Sequence, residues 1–184
     1  MRTNKFNILR YLSVTGLILL LVMIVTSCNE NVSDPALNNS GQVSLSKIVH
    51  RVSVGGCDIT PPGQDRNFSL VAKINSNGEV SGQWQDGFGG GHGSIHVAVD
   101  CLTMVGDNAA IVGGVITHGT YDGIDLSGER AVTAVVDNGE GHNADPDQIS
   151  LSFFSPIFPI GDCSDYTLDQ FPLFDISCGQ VQVK

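Results

Sequence analysis

The densest set of ligating groups in this chain is the stretch Asp137-Asn138-Gly139-Glu140-Gly141-His142-Asn143-Ala144-Asp145-Pro146-Asp147. Its carboxylates, Asp137, Glu140, Asp145 and Asp147, stand among Asn side chains and backbone carbonyls, the oxygen-rich set that calcium prefers. Those residues are the candidate calcium ligands. The spacing departs from an EF-hand loop, because Gly139 and Gly141 occupy positions where that loop places side-chain ligands. The competing reading is a long strand connection, with Asp and Asn making local turns and Gly taking positive φ.

A second set is Gly87-Phe88-Gly89-Gly90-Gly91-His92-Gly93-Ser94-Ile95-His96. On a helix, His92 and His96 would share one face and suit zinc, but the glycines here argue against a helix. On a strand, residues four apart point the same way yet sit roughly 13 Å apart, too far to share a metal. Neither phosphate-loop pattern is present. The stretch reads as a mobile hairpin loop.

Nucleophilic chemistry has little to build on. No G-x-S-x-G elbow occurs, and His50, His92, His96, His118 and His142 are scattered. A serine triad depends on geometry that spacing does not give. No catalytic residue is assigned. A hydrolase would need His92, His96 or His142 clustered beside acids.

The elements that must position these groups are strands. Phe68, Leu70, Ala72 and Ile74 alternate with Ser69, Val71 and Lys73, and Asn75-Ser76-Asn77-Gly78 then makes a turn. Val80, Gly82 and Trp84 return. Ile95, Val97, Val99 and Cys101 alternate with His96, Ala98 and Asp100, and Gly106-Asp107-Asn108 turns into the run from Ala109 to Ile116. Val132, Ala134 and Val136 follow, then Ile149, Leu151 and Phe153, and a last short strand from Gln180 to Lys184. A period of two with no sustained helical stripe predicts an all-β domain: one antiparallel sandwich or small barrel of about eight strands. The apolar, proline-marked stretch from Ser155 to Phe174 is expected to cap an open end of this core or to display a contact patch.

Of five cysteines, Cys28 falls in the leader described below, leaving Cys57, Cys101, Cys163 and Cys178. An even number in an exported domain argues for two disulfides. Cys57 and Cys178 lie near the start and end of the folded part, with Cys101 and Cys163 between. The favoured pairing is Cys57–Cys178 with Cys101–Cys163, and Cys163–Cys178 is the competitor. No C-x-x-C spacing points to a structural metal.

The leader carries Arg2, Lys5 and Arg10, an apolar run from Tyr11 to Val25, and then Val25-Thr26-Ser27-Cys28. The apolar run is about fifteen residues, short of the ~20 that cross a bilayer as a helix. The four residues resemble the lipobox of a bacterial lipoprotein signal peptide. The resemblance implies cleavage after Ser27, with residues 1–27 as signal peptide and lipidation of Cys28 as the anchor. Asn29 resembles the residue found where such proteins pass to the outer membrane of a Gram-negative cell, facing the periplasm or the cell surface. Residues 28–46 read as a polar tether and residues 47–184 as one β domain. The chain from Cys28 onward holds six basic and 19 acidic residues, a net of -13. That balance excludes nucleic acid as a partner. Contact with the membrane therefore runs through the lipid.

From Ser81-Gly82-Gln83-Trp84, through His96 to Leu102, Asn108 to Gly114, Val136 to Gly141, Asp147 to Ser150 and Gly179 to Val183, the domain also resembles a group of small exported bacterial β domains of the post-choice-of-anchor type. The resemblance implies a β fold with surface or periplasmic exposure, and it supplies no activity or catalytic residue. The expected role is structural or binding in the cell envelope, toward an envelope protein or surface ligand. The alternatives are a small-molecule carrier with a lipocalin-like barrel, which needs a central apolar cavity, and an envelope hydrolase. Small Ala98, Gly113, Gly114 and Ala134 are expected to pack the sheet tightly.

Overall fold

The structure is a computed structural model that describes residues 46–59, 65–141 and 143–184. The leader, Cys28, the tether up to residue 45 and His142 lie outside the described residues.

Ten strands follow one another: β1 Ile48–Ile59, β2 Asp65–Asn75, β3 Val80–Phe88, β4 Gly93–Val105, β5 Ala109–Tyr121, β6 Ile124–Asp125, β7 Arg130–Val136, β8 Gln148–Ser150, β9 Phe153–Phe154 and β10 Leu173–Val183. Every pairing is antiparallel. The order β5-β4-β3-β2-β1-β10-β8-β7 closes on itself, because β5 also pairs with β7. The expected all-β fold is thus an up-and-down barrel with eight strands in the ring, while β6 and β9 attach outside it. Closure removes the exposed sheet edges that otherwise invite aggregation.

An eight-stranded ring leaves an interior that side chains alone can fill. Here Val52, Leu70, Trp84, Ile95, Val97, Val112, Ile116 and Ile149 are fully buried and join one cluster with Phe68, Val135 and Val181. Each such side chain contributes roughly 1.5–3 kcal/mol on leaving water. The expected turns are present: Gly78 N–H donates to Asn75 O at 2.9 Å, and Gly78 and Gly106 take positive φ of 80° and 63°.

β4 and β7 both depart from simple alternation. In β4, Val99 pairs with Gly114 and Cys101 with Gly113, so Asp100 is an extra, bulged residue. The bulge turns Cys101 from the lumen, where strict alternation had placed it, to the outer wall beside Ile111, Val132 and Ala134. In β7, Ala131 through Val136 are all buried. Its outer face is covered by the stretch after β9, through Ile160, Cys163, Tyr166, Leu168 and Phe171. This corrects the expected capping role: most of the proline-marked segment pads the barrel wall.

Both favoured disulfides form. Cys57 and Cys178 are register partners across β1 and β10, with Cα atoms 5.4 Å apart. Cys101 and Cys163 lie 5.7 Å apart and fasten the cover to the wall. A methyl group at Gly113 would stand 2.9 Å from Cys101 Sγ and 3.1 Å from Cys163 Sγ, so this glycine makes room for the bridge.

Candidate functional site

The acidic stretch does not converge on a point. Asp147 is buried; its Oδ1 accepts from Asn138 N–H at 2.8 Å and its Oδ2 from Val181 N–H at 2.7 Å. Asp137 accepts from Gly139 N–H at 2.9 Å through Oδ1 and from Val183 N–H at 3.0 Å through Oδ2. Glu140 accepts from Gln180 Nε2 at 2.7 Å, and Asp145 is exposed. Among the described residues no three His, Cys, Asp or Glu side chains assemble to hold a metal ion. The four candidate calcium ligands are instead drawn to separate partners, Asp147 and Asp137 to backbone amides and Glu140 to a glutamine side chain, with Asp145 facing solvent. These carboxylates answer the amides of β10, whose pairing with β8 covers only Leu173–Asp175, and so they seal the barrel beyond that point.

The glycine-rich stretch is a tight hairpin end. A 3-10 turn, Gly89–Gly91, links β3 to β4, with Gly90 and Gly91 at φ of 68° and 86°. His92 caps the end of this turn, whereas His96 lies within β4, and the two have different surroundings. His92 Nδ1 lies 2.6 Å from Asp122 Oδ1, and its ring stacks on Tyr121 with centroids 5.7 Å apart. His96 faces the outer wall and stacks on His118.

Next to His92 a pocket of about 340 Å³ opens at the barrel mouth. Phe88 on β3, Tyr121 at the end of β5 and Phe154 on β9 form its aromatic wall, with each pair of centroids 5.4–5.6 Å apart. Such edge and tilted arrangements suit the ring quadrupoles. Leu151, Phe153, Ile157 and Phe158 complete the apolar lining. Ile157 and Phe158 remain 51% and 44% exposed, so the rim presents bare apolar surface to solvent.

Asp86, His92 and Ser152 form the polar side of the mouth. Asp86 continues the inward face of β3 beyond Trp84 and is buried, and Ser152 Oγ donates to its carboxylate. His92 stands at the edge with Asp122 behind it. An acid now lies beside His92, as a hydrolase would require. The hydroxyl of Ser152, however, is committed to Asp86, and no hydrogen bond joins it to His92.

Sequence reasoning placed Phe153 on a strand and marked the apolar stretch from Ser155 onward, but joined neither to Phe88 and Tyr121. Those residues come from separate hairpins, and only closure of the barrel brings them together. A signal did exist: large apolar residues at both ends of the glycine-rich turn, followed by the dense aromatic run after β8.

The chain matches no family model, no curated protein and no solved structure in comparisons with each.

Proposed function

We propose that this protein is a lipid-anchored binding module of the bacterial cell envelope that holds a small, neutral, largely aromatic or aliphatic molecule at the barrel mouth. The observation that carries the reading is the pocket of about 340 Å³ in which an apolar wall of Phe88, Tyr121, Leu151, Phe153, Phe154, Ile157 and Phe158 faces a polar side formed by Asp86, His92 and Ser152. Concave, mostly apolar sites with sparse polar groups are the usual form of small-molecule sites. The lumen below is filled by Trp84, Leu70 and Ile95, so the bound molecule sits in the mouth and not along the axis. The strong acidity of the chain disfavours an anionic ligand. Placement in the envelope rests on the lipobox-like Val25-Thr26-Ser27-Cys28 and agrees with two disulfides, which persist in oxidising compartments.

A neutral fluorescent probe, N-phenyl-1-naphthylamine, brightens on entering an apolar pocket. Titration of the oxidised protein should give saturable binding that Ile157→Asp and Phe158→Asp weaken while the melting temperature holds, because both side chains are rim-exposed. Lack of saturable binding, or binding unchanged in the double variant, refutes the pocket assignment. For the anchor, Cys28→Ser should move the protein from the membrane fraction to the soluble one.

A further inference from the structure

We propose that His96 and His118, stacked on the outer wall of the barrel, form a binding site for a divalent transition-metal ion of the zinc, copper or nickel class. Registers across four strands align Ser69, Gln85, His96 and His118 in one row. Ile95 and Val97 beside His96, and Trp84 and Asp86 beside Gln85, point into the lumen and are buried. The row therefore lies on the outside. The imidazole centroids are 3.9 Å apart with planes inclined by 21°. Two nitrogens on one tetrahedral zinc stand about 3.4 Å apart, given Zn–N bonds of about 2.0–2.1 Å. In the stacked arrangement the in-plane lone pairs run nearly parallel, so both rings must splay about their side-chain torsions for their nitrogens to converge on one ion.

The backbone prepares one of the rings. His96 pairs with His118 and Val97 with Ile116, so Thr117 is an extra residue in β5. Its Oγ1 donates to His96 O at 3.1 Å and lies 3.3 Å from His118 Nδ1. With that hydroxyl proton on the carbonyl, the contact is satisfied by the tautomer of His118 that carries its proton on Nδ1 and donates to Oγ1. The lone pair of neutral His118 is then on Nε2, the nitrogen left for a metal. Ligating histidines commonly have their second nitrogen held in this way.

Space and chemistry agree with the assignment. The pair borders a surface pocket of about 340 Å³ with Ser69, Gln83, Gln85 and Ala98, where small Ala98 leaves room for an ion and its waters. Imidazole nitrogen suits zinc, copper and nickel, whereas calcium and magnesium take oxygen ligands. With no third His, Cys, Asp or Glu in reach among the described residues, Gln83, Gln85 or water must complete the coordination.

The test uses the full chain, oxidised and stripped of metal, titrated calorimetrically with zinc chloride and then copper sulfate above the imidazole range. One equivalent should bind. Either His96→Gln or His118→Gln should weaken binding by roughly tenfold or more, since loss of an outer-shell partner alone costs roughly 10–100-fold. His92→Gln should bind as the parent does. No binding by the parent, or equal binding by the double variant, overturns the proposal. Electron paramagnetic resonance of the copper-loaded parent gives a reading independent of any variant's folding: couplings from two imidazole nitrogens support the site, and none or one overturns it.

Discussion

A methyl group placed at Gly113 would press on both sulfurs of the Cys101–Cys163 bridge and stand 3.1 Å from Ala131 O. Overpacking of this kind costs roughly 1–3 kcal/mol. Gly113→Ala should lower stability by that amount in denaturant unfolding, and by much less in a Cys101→Ala/Cys163→Ala background, because sites that share a contact are not additive. His96 gives a second residue-scale prediction. Its folded-state value lies below the ordinary 6.5, so the unfolded chain takes up the proton first as the pH falls. Stability should therefore rise with pH up to the ordinary imidazole range and flatten above it. Melting of chelator-treated protein from about pH 5 to about pH 7.5 should show this slope, reduced in His96→Gln. Much at this scale was legible in the sequence: the inward row Phe68, Leu70 and Ala72 and the turn at Gly78 follow from alternation and residue type. The orientation of Cys101 was not, because a bulge at Asp100 depends on which residue of β5 stands opposite.

Among the elements, the seam between β10 and the connection after β7 is the most unusual. β8 is only three residues long, and side-chain carboxylates take over where its carbonyls stop. Each backbone hydrogen bond to a charged acceptor contributes about 1.5–3 kcal/mol. Asp147→Asn retains one acceptor of the two and should lose roughly that much stability, with faster hydrogen exchange at Val181, whereas the exposed Asp145→Asn should be near neutral. Calcium added after EDTA should leave the melt unchanged. Sequence reasoning saw the acids and the turn-forming residues correctly but could not see their partners. Val181 and Val183 are more than thirty positions away, and backbone amides carry no mark in a sequence. β1 and the first half of β10 were likewise not drawn as strands. β1 carries a Gly55-Gly56 pair within its second half, and the regular part of β10 is interrupted at Gly179, which takes φ of 94°.

At the scale of the molecule, closure of the ring creates the functional geometry. Phe88, Tyr121 and Phe154 belong to distant parts of the chain and meet only because β5 pairs with β7 and carries β9 with it. The all-β class and the favoured cysteine pairing follow from period, cysteine number and chain order, which act locally or by simple counting, whereas the choice of a barrel over a sandwich does not. The mouth follows from which hairpin ends share one rim, a property of the closed topology. The interior is packed and the mouth is open, so a ligand of this protein meets the rim first. The most direct measurement is backbone amide chemical-shift mapping while a small neutral aromatic probe is titrated into the oxidised protein. The shifts should concentrate on Phe88–His92, Tyr121 and Leu151–Phe158 and saturate together. Shifts absent from these residues, or centred on another face of the barrel, would contradict a binding role for the mouth.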